Sequence, residues 1–343
     1  MASNWAYNTR DIKFILKEWL PTEKVFAYDK FKDYYSKDDI DMIIDPVFKM
    51  AKDMIAPTND DGEETPAHFE DGKVTVPASF KEIFHYVQEA GFGSSNIDEN
   101  AEGALPEVVY AAIQEMFASA NPSWAPYVAL TTGAAGLIQT FGTDEVKEKF
   151  LPKMFSGEWS GTMCLTEPTA GSDVGDILSK AYPTDHPRIF KIKGSKIFIT
   201  GGDHDMCENI VHLYLARIEG ASEGTKGISL FVVPKYWVNE DGTLEDNDVQ
   251  TTGVEHKLGL KGSSTAALAF GENNNCRGWL LGVNPLENDG KGEGMAQMFQ
   301  MMNGARTETG HAALAVTANA YFNAVEYCKE RIQGRPLTNP KGD

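Results

Sequence analysis

The chain has 343 residues, 42% of them hydrophobic and 24% charged, which is typical of soluble globular proteins. Its formal net charge of −19 disfavours nucleic acid as a partner, because phosphate binding needs clustered Lys and Arg. The four scattered cysteines form no CxxC pair, which argues against a zinc site or a disulfide framework. No run approaches the roughly 20 apolar residues of a membrane span, and no signal peptide is visible, so a cytoplasmic protein is expected.

The first part of the chain is predicted to be helical. Apolar residues at helical spacing indicate helices over residues 37–55 and 126–140, and the second carries almost no charge, so it should be buried. Pro46 is expected to kink or split the first of them. The acidic, turn-rich stretch 59–73 indicates a surface loop, and Thr143 is placed to cap the next amphipathic helix.

From about residue 157 the pattern changes to short strands. The predicted strands cover residues 159–165, 190–193, 196–200, 209–218, 227–233, 251–260, 265–270 and 279–281. Their short, hairpin-like connections favour an antiparallel sheet or barrel over βαβ units. Residues 203–208 combine Asp, His, Cys and Glu, as metal sites do, but their place between two strands favours an exposed turn.

After Gly294 the pattern becomes helical again. The spacing of Leu314, Ala318, Tyr321, Val325 and Cys328 predicts a long helix with a bundle-type apolar seam. A helix this long needs partner helices. Because none follows, oligomerisation, a missing downstream segment, or both are expected.

The sequence lacks the motifs of several common enzyme classes. It contains no GxGxxG after a strand, no GxxxxGK[ST], no HExxH and no GxSxG. The glycine-rich residues 289–294 are interpreted as a loop that leads into the last helix rather than as a phosphate loop. No metal site is predicted.

The most informative stretch is residues 164–173, CLTEPTAGSD, which follow a predicted strand. Small residues let such a loop lie against a planar ring or curl around a phosphate, although an ordinary turn has the same composition. The stretch resembles the flavin-binding signature of acyl-CoA dehydrogenases, as does GSKIFITGG at residues 194–202. Residues 224–234 and 256–265 resemble the next two blocks of that family. The N-terminal residues 7–16 resemble its 3-methylmercaptopropionyl-CoA dehydrogenase-like subgroup.

The resemblance implies an α+β fold with a helical domain over residues 1–156, a central antiparallel β domain over 157–283, and the first part of a C-terminal four-helix bundle over 284–343. It also implies FAD-dependent oxidation of an acyl-CoA thioester to the trans-2-enoyl-CoA. The electrons would pass to an electron-transfer flavoprotein, and the protein would be a homodimer or homotetramer.

The resemblance assigns roles to individual residues. Positions that match flavin contacts are Met163, Leu165, Thr166, Gly171, Ser172, Phe198, Thr200, Arg331 and Gln333, the last two reaching the flavin of a neighbouring subunit. Positions that match substrate contacts are Ser172, Ser263 and Thr265. Phe198 stands where the family often has Trp, and Ala266 stands where it has Arg. Glu167 is expected to brace the flavin loop, and Asp173 to cap a helix.

The family's catalytic base is a Glu, on a later bundle segment or in the block after Thr265. Here that block continues with Ala266 and Ala267, so the chain is predicted to lack the base, and no catalytic residue is assigned. The alternative function is a non-catalytic flavin or acyl-CoA binding module or an assembly subunit. A flavin-dependent acyl-CoA oxidase is a third possibility.

Overall fold

The computed structural model describes residues 5–98, 101, 103–334 and 338. Its α-helices are α1 (Arg10–Phe14), α2 (Thr22–Phe26), α3 (Ile40–Met50), α4 (Thr58–Glu64), α5 (Ala78–Glu89), α6 (Glu107–Ala120), α7 (Ala125–Phe141), α8 (Asp144–Phe155) and α9 (Gly294–Glu330). Its strands are β1 (His68–Glu70), β2 (Lys73–Thr75), β3 (Trp159–Cys164), β4 (Lys180–Pro183), β5 (Ile189–Thr200), β6 (Asn209–Ile218), β7 (Ile228–Pro234), β8 (Tyr236–Val238), β9 (Leu244–Asp246), β10 (Val249–Val254), β11 (Thr265–Phe270) and β12 (Arg277–Leu281). The helix–strand–helix order confirms the predicted α+β fold.

Helices α1, α2, α3, α5 and α6 contribute to one apolar core, and α7 is the predicted buried helix. Pro46 lies inside α3 without splitting it, because its missing N–H leaves only the carbonyl of the exposed Met42 without a partner. The helix widens instead at Ala51–Ile55, in a π-helical turn. Thr143 caps α8 as predicted, its hydroxyl accepting a hydrogen bond from the Val146 N–H.

The stretch 59–73 is mostly exposed as predicted, but the prediction that it forms a loop is wrong. Most of that stretch forms α4 and the β1–β2 hairpin. Packing holds it in place: a Cβ on Gly62 would lie 2.9 Å from the Phe80 ring, and the Ala67 N–H donates to the Lys261 carbonyl at 2.9 Å. These contacts with distant residues override the local turn composition.

The central sheet has eight strands in the order β10-β11-β5-β12-β7-β6-β3, with β4 pairing to both β5 and β6. Most pairs are antiparallel as predicted, but β3–β6 and β4–β6 are parallel. The two strands predicted over 190–193 and 196–200 are the single strand β5, and the strand predicted over 251–260 ends at Val254. Strands β6 and β7 are buried along their whole length and form the centre of the sheet.

Helix α9 has partners within the chain, which corrects the expectation that it has none. Met298 and Met301 pack against the cluster formed with α7, and Ala318 and Phe322 pack against the helical core. Of the predicted seam, Leu314 and Tyr321 are exposed at 56% and 63% of their surface. The predicted seam is therefore divided: Ala318 faces the helical core, whereas Leu314 and Tyr321 face solvent.

The predicted domain boundaries fall in the connections between α8 and β3 and between β12 and α9, and they stay predictions. Within the described ranges, no helix is both long and apolar enough to cross a membrane. Pro336 and Pro340, expected to follow the last helix, lie outside the described residues, as does Arg335.

Candidate functional site

The loop after β3 is held in a tight turn. Glu167 and Ala170 exchange backbone hydrogen bonds of 2.8 and 3.2 Å, and the Thr166 carbonyl accepts from the Ile197 N–H of β5 at 2.9 Å. Gly171 and Ser172 follow this turn and are exposed. The loop and β5 therefore form one surface, on which the two flavin-like stretches of the sequence lie side by side.

A buried ion pair fixes that surface from below. Lys196 Nζ lies 2.8 Å from Glu167 Oε1 and also donates to the carbonyls of Leu165 and Leu215 at 3.0 and 2.8 Å. Glu167 accepts two more hydrogen bonds, from the N–H groups of Leu178 (2.6 Å) and Ser179 (3.2 Å). Glu167 thus braces the loop, in agreement with the sequence prediction.

The electrostatics of this pair follow from burial. Burial by itself would raise the pKa of Glu167, but the Lys196 ammonium and the hydrogen bonds hold it below its ordinary value. Burial lowers the pKa of Lys196, although the Glu167 carboxylate favours the charged form. Both side chains are 0–3% exposed, so removal of either one would leave a charge in the interior without its partner.

Phe198 interrupts the regular pairing of β5. Between Ala266 and Leu268 the register of β5 with β11 shifts, and Phe198 adopts a left-handed φ of +60°. Its ring is 57% exposed. A left-handed non-glycine residue costs on the order of 1 kcal/mol or more, and such strain is concentrated at ligand sites. The bulge therefore presents an aromatic face toward solvent beside the loop.

A cavity of about 380 Å³ lies between the sheet and the helices, and three of the predicted site residues line it: Thr200, Ser263 and Thr265. Lys257 organises this sheet-side wall by donating to the Ser263 carbonyl at 2.7 Å and to Thr265 Oγ1 at 3.0 Å. Burial lowers the pKa of Lys257, and Glu63 opposes that shift. Ala266, where the family resemblance expects Arg, is fully buried beside this wall and does not line the cavity.

The opposite wall comes from α6, α7 and α9 and carries polar groups that sequence reasoning missed. Gln114 of α6 and Glu308, Thr309 and His311 of α9 line it. Burial raises the pKa of Glu308, Glu107 adds to the shift, and His311 opposes it. The spacing of Glu308, His311 and Ala312 indicates that they share one face of a helix, but nothing in the sequence predicts that this face lines a cavity.

A hydrogen-bonded chain behind this wall joins three elements. His311 Nε2 lies 3.1 Å from Glu115 Oε2, and the Tyr7 hydroxyl donates to Glu115 Oε1 at 2.5 Å. Burial would raise the pKa of Glu115, but its contacts with His311 and Tyr7 hold it below its ordinary value. The segment before α1 is thereby tied to α6 and α9.

The other predicted flavin residues lie outside the cavity. Met163 is at the end of β3, and Leu165 and Thr166 are in the half-buried part of the loop. Arg331 and Gln333 are exposed beyond the C-terminal end of α9, which is about 55 Å long at 1.5 Å per residue. Within one chain the structure therefore brings the loop, Phe198 and Thr200 into one region of the sheet and leaves Arg331 and Gln333 at the far end of α9.

The turn at residues 203–208 is not exposed as predicted, because Asp203 and His204 are 2% and 4% exposed. Asp203 binds Lys235 at 2.5 Å and the Thr251 hydroxyl at 2.6 Å, and His204 Nε2 is 2.9 Å from Ser160 Oγ. These partners compensate for the burial of polar groups. In the part of the chain that the structure describes, no group of His, Cys, Asp and Glu is arranged to hold a metal ion.

Comparisons with known proteins agree with the motifs. Residues 37–158 match the family model of the acyl-CoA dehydrogenase N-terminal domain, and residues 162–272 match that of the acyl-CoA dehydrogenase middle domain. A butyryl-CoA dehydrogenase of Syntrophomonas wolfei is 50% identical over 99% of this chain and 56% of its own length. The 3-methylmercaptopropionyl-CoA dehydrogenase of Ruegeria pomeroyi is 38% identical over 97% of this chain and 55% of its own length.

Among solved structures, the butyryl-CoA dehydrogenase of Megasphaera elsdenii superimposes with a TM-score of 0.68 and 25% identity, over 89% of this chain and 73% of that one. The chain spans a little over half the length of the two curated relatives.

Proposed function

Because the chain belongs to the acyl-CoA dehydrogenase family, we propose that it binds FAD and a short acyl-CoA thioester as part of an enzyme that oxidises the α–β bond to the trans-2-enoyl-CoA. The observation that carries the proposal is the cavity that joins Thr200 to Ser263 and Thr265, with the flavin-like loop and Phe198 on the same region of the sheet. Two relatives named butyryl-CoA dehydrogenase favour a short acyl group.

The residues present fit a flavin. A Cβ on Gly171 would lie 3.3 Å from Thr166 Cγ2 and would narrow the turn, while the strained, exposed ring of Phe198 offers a flat apolar surface. We assign the ring contact to Phe198, Met163 and Leu165, and the hydrogen-bonding contacts to Thr166 and Thr200. Gly171 and Ser172 are assigned to the pyrophosphate. FAD, when bound, supplies the hydride acceptor.

The chain's own residues hold the substrate. Ser263 and Thr265 are oriented by Lys257 and are proposed to line the path of the thioester, with Ser172 on the pantetheine side. The assembly is proposed to be a homodimer or homotetramer, in which Arg331 and Gln333 reach the flavin of a neighbouring subunit. Electron-transfer flavoprotein is the proposed acceptor of the electrons.

Removal of the α-proton needs a carboxylate within hydrogen-bond reach. We retain the prediction that this base is not among residues 1–343, because the block after Thr265 continues with Ala266 and Ala267. The alternative, a non-catalytic flavin or acyl-CoA binding module or assembly subunit, shares the same binding site and differs only in the chemical step.

The test is anaerobic flavin spectroscopy on the FAD-loaded chain. Butyryl-CoA should shift the flavin absorption bands without bleaching them, because the substrate binds but no base removes the proton. Bleaching would contradict the prediction of a missing base, and a Glu308→Gln variant would then show whether Glu308 supplies it. Failure of the chain to retain FAD would overturn the proposed function.

A further inference from the structure

Arg217, near the end of β6, connects two turns of the central domain through its guanidinium group. The residue is buried, with 7% of its surface exposed. Its Nη1 donates to the carbonyls of Ser222 and Gly224, the second at 2.8 Å, and its Nη2 donates to the Gly175 carbonyl at 2.9 Å. A guanidinium can hold three carbonyls in this way because its N–H groups form a rigid, planar fork.

The two turns are the connection between β6 and β7, residues 219–227, and the short turn that follows the flavin-like loop, residues 173–176. Their backbones lie side by side, because a Cβ on Gly175 would be 3.6 Å from Gly224 Cα and 3.7 Å from Thr225 N. The guanidinium therefore attaches the end of the flavin-like loop to a second turn and, through β6, to the centre of the sheet.

The hydrogen bonds of Arg217 do not serve to neutralise a carboxylate. Within the described ranges it forms no ion pair, and its three acceptors are uncharged carbonyl groups. A buried charge is tolerated when hydrogen bonds replace its lost hydration. The three carbonyls must therefore keep their positions around the guanidinium, and the side chain specifies the conformation of both turns.

The turn over residues 173–176 leads directly from the residues assigned to the pyrophosphate. Gly171 and Ser172 are exposed, and in the part of the chain that the structure describes their N–H groups have no acceptor. Successive backbone N–H groups in a turn are suited to a phosphate. Such a turn binds well only if it is ordered before the ligand arrives, because ordering it on binding costs affinity.

We propose that Arg217 is a positioning residue, which holds the turn after Ser172 in the conformation that binds a diphosphate ester. FAD and coenzyme A both carry an adenosine diphosphate group, so cofactor and substrate share this chemistry. The inference rests on the proposed binding of FAD and acyl-CoA. Without Arg217, binding must order the turn, and ordering one backbone residue lowers the affinity about tenfold.

The test compares each ligand with a counterpart that lacks the diphosphate. FAD and riboflavin are titrated into the apo chain by fluorescence, and butyryl-CoA and S-butyrylpantetheine into the FAD-loaded chain by calorimetry. In Arg217→Met the preference for the diphosphate ligand should fall about tenfold in at least one pair, and that pair identifies the ligand. Arg217→Lys keeps the charge but lacks the fork, so it should recover less than half of the loss. Arg277→Met, which removes an arginine paired with Glu245, is the matched control and should change neither preference.

Equal losses for both members of each pair, or full recovery in Arg217→Lys, would overturn the inference and leave the proposed function standing. Failure of the unmodified chain to bind FAD would overturn both. Hydrogen exchange in the unmodified chain decides the question if Arg217→Met does not fold. At least one of the two ligands should slow exchange in residues 173–176 and 219–227 together, and protection of the first turn alone would contradict the coupling.

Discussion

Lys196 and Glu167 show how one residue pair can support a functional surface that it does not touch. The pair lies beneath the flavin-like loop and ties it to β5 and β6 through the carbonyls of Leu165 and Leu215. A buried ion pair adds little net stability over a well-packed apolar pair, but its partial removal is costly. Its value here is that it specifies one conformation of the loop.

We therefore expect Lys196→Met to lower the free energy of unfolding by about 3–5 kcal/mol, because the Glu167 carboxylate loses its buried counter-charge. Urea unfolding followed by circular dichroism measures the change. Lys191→Met, at an exposed position of the same strand, is the matched control and should have little effect. An equally small effect of Lys196→Met would show that the loop does not depend on the pair.

His204, in the turn between β5 and β6, and His212, in β6, are two further buried polar residues. Burial lowers the pKa of each to about 3, and the Lys235 ammonium adds to the shift. His212 Nδ1 lies 2.8 Å from the Thr162 hydroxyl and 3.7 Å from Cys164 Sγ. Burial also raises the pKa of the Cys164 thiol to about 12, so this contact is not a reactive thiolate–imidazolium pair.

These histidines predict a loss of stability in mild acid. In the unfolded chain each histidine binds a proton below its ordinary pKa near 6.5, whereas in the folded protein it stays neutral until about pH 3. The stability is therefore complete above pH 6.5 and falls as the pH is lowered toward 3, by about 2 kcal/mol per histidine at pH 5. Denaturant unfolding at pH 7 and pH 5 tests this, and His212→Gln should reduce the difference. The exposed His68→Gln should not.

At the scale of elements, the bulge in β5 is the feature that links the sheet to the proposed cofactor. The bulge places Phe198 in a left-handed conformation and exposes its ring, while Ile199 returns to the core at 2% exposure. In a regular strand, successive side chains would point to alternate faces of the sheet without this interruption. The strain is retained because β5 pairs with β11 on both sides of the bulge, through Thr200 with Thr265 and through Lys196 with Leu268.

Phe198→Gly is expected to separate stability from ligand binding. Glycine adopts the left-handed conformation without a Cβ clash, so the free energy of unfolding should stay unchanged or rise by up to about 1 kcal/mol. FAD should bind about tenfold more weakly, because the aromatic contact is lost. Fluorescence titration with FAD measures the second effect.

Asn274→Gly is the control for this prediction, since Asn274 has a φ of +57° far from the loop along the chain and is exposed. It should relieve similar strain without any change in FAD affinity. If Phe198→Gly bound FAD as tightly as the unmodified protein, the assignment of the Phe198 ring to the flavin site would be wrong.

At the scale of the whole molecule, the hydrogen bonds from Tyr7 to Glu115 and from Glu115 to His311 join the segment before α1 to α9. Tyr7 and His311 lie 108 and 196 positions from Glu115 in the sequence, yet both contact its carboxylate next to the cavity wall. Trp5 adds a hydrogen bond to Ser119 at 3.0 Å, and the Ala6 N–H donates to Asn319 at 3.0 Å. The segment before α1 is thus a clamp that sets the position of α9 against α6.

Tyr7→Phe should weaken this clamp. Loss of the hydroxyl leaves Glu115 with one partner fewer, and the expected decrease in the free energy of unfolding is about 1–2 kcal/mol. Hydrogen exchange should accelerate in α9 more than in β6 and β7. Tyr28→Phe, at a position 65% exposed, is the control, and an equal effect of both variants would contradict a specific clamp.

The order of helices and strands, the loop at residues 164–173 and the family were all readable from the sequence, because they depend on local periodicity and on contiguous motifs. Glu167 as a brace followed from the same motif. The tertiary structure alone decided that residues 59–73 contain a helix and a hairpin, that Asp203 and His204 are buried, and that α9 packs on α6 and α7. It also placed Gln114 and Glu308 on the wall of the cavity that contains Thr200. The physical reason is that the burial of a residue and the packing partner of a helix face depend on contacts between residues far apart in the chain. Such contacts leave no periodic pattern in the sequence around either residue.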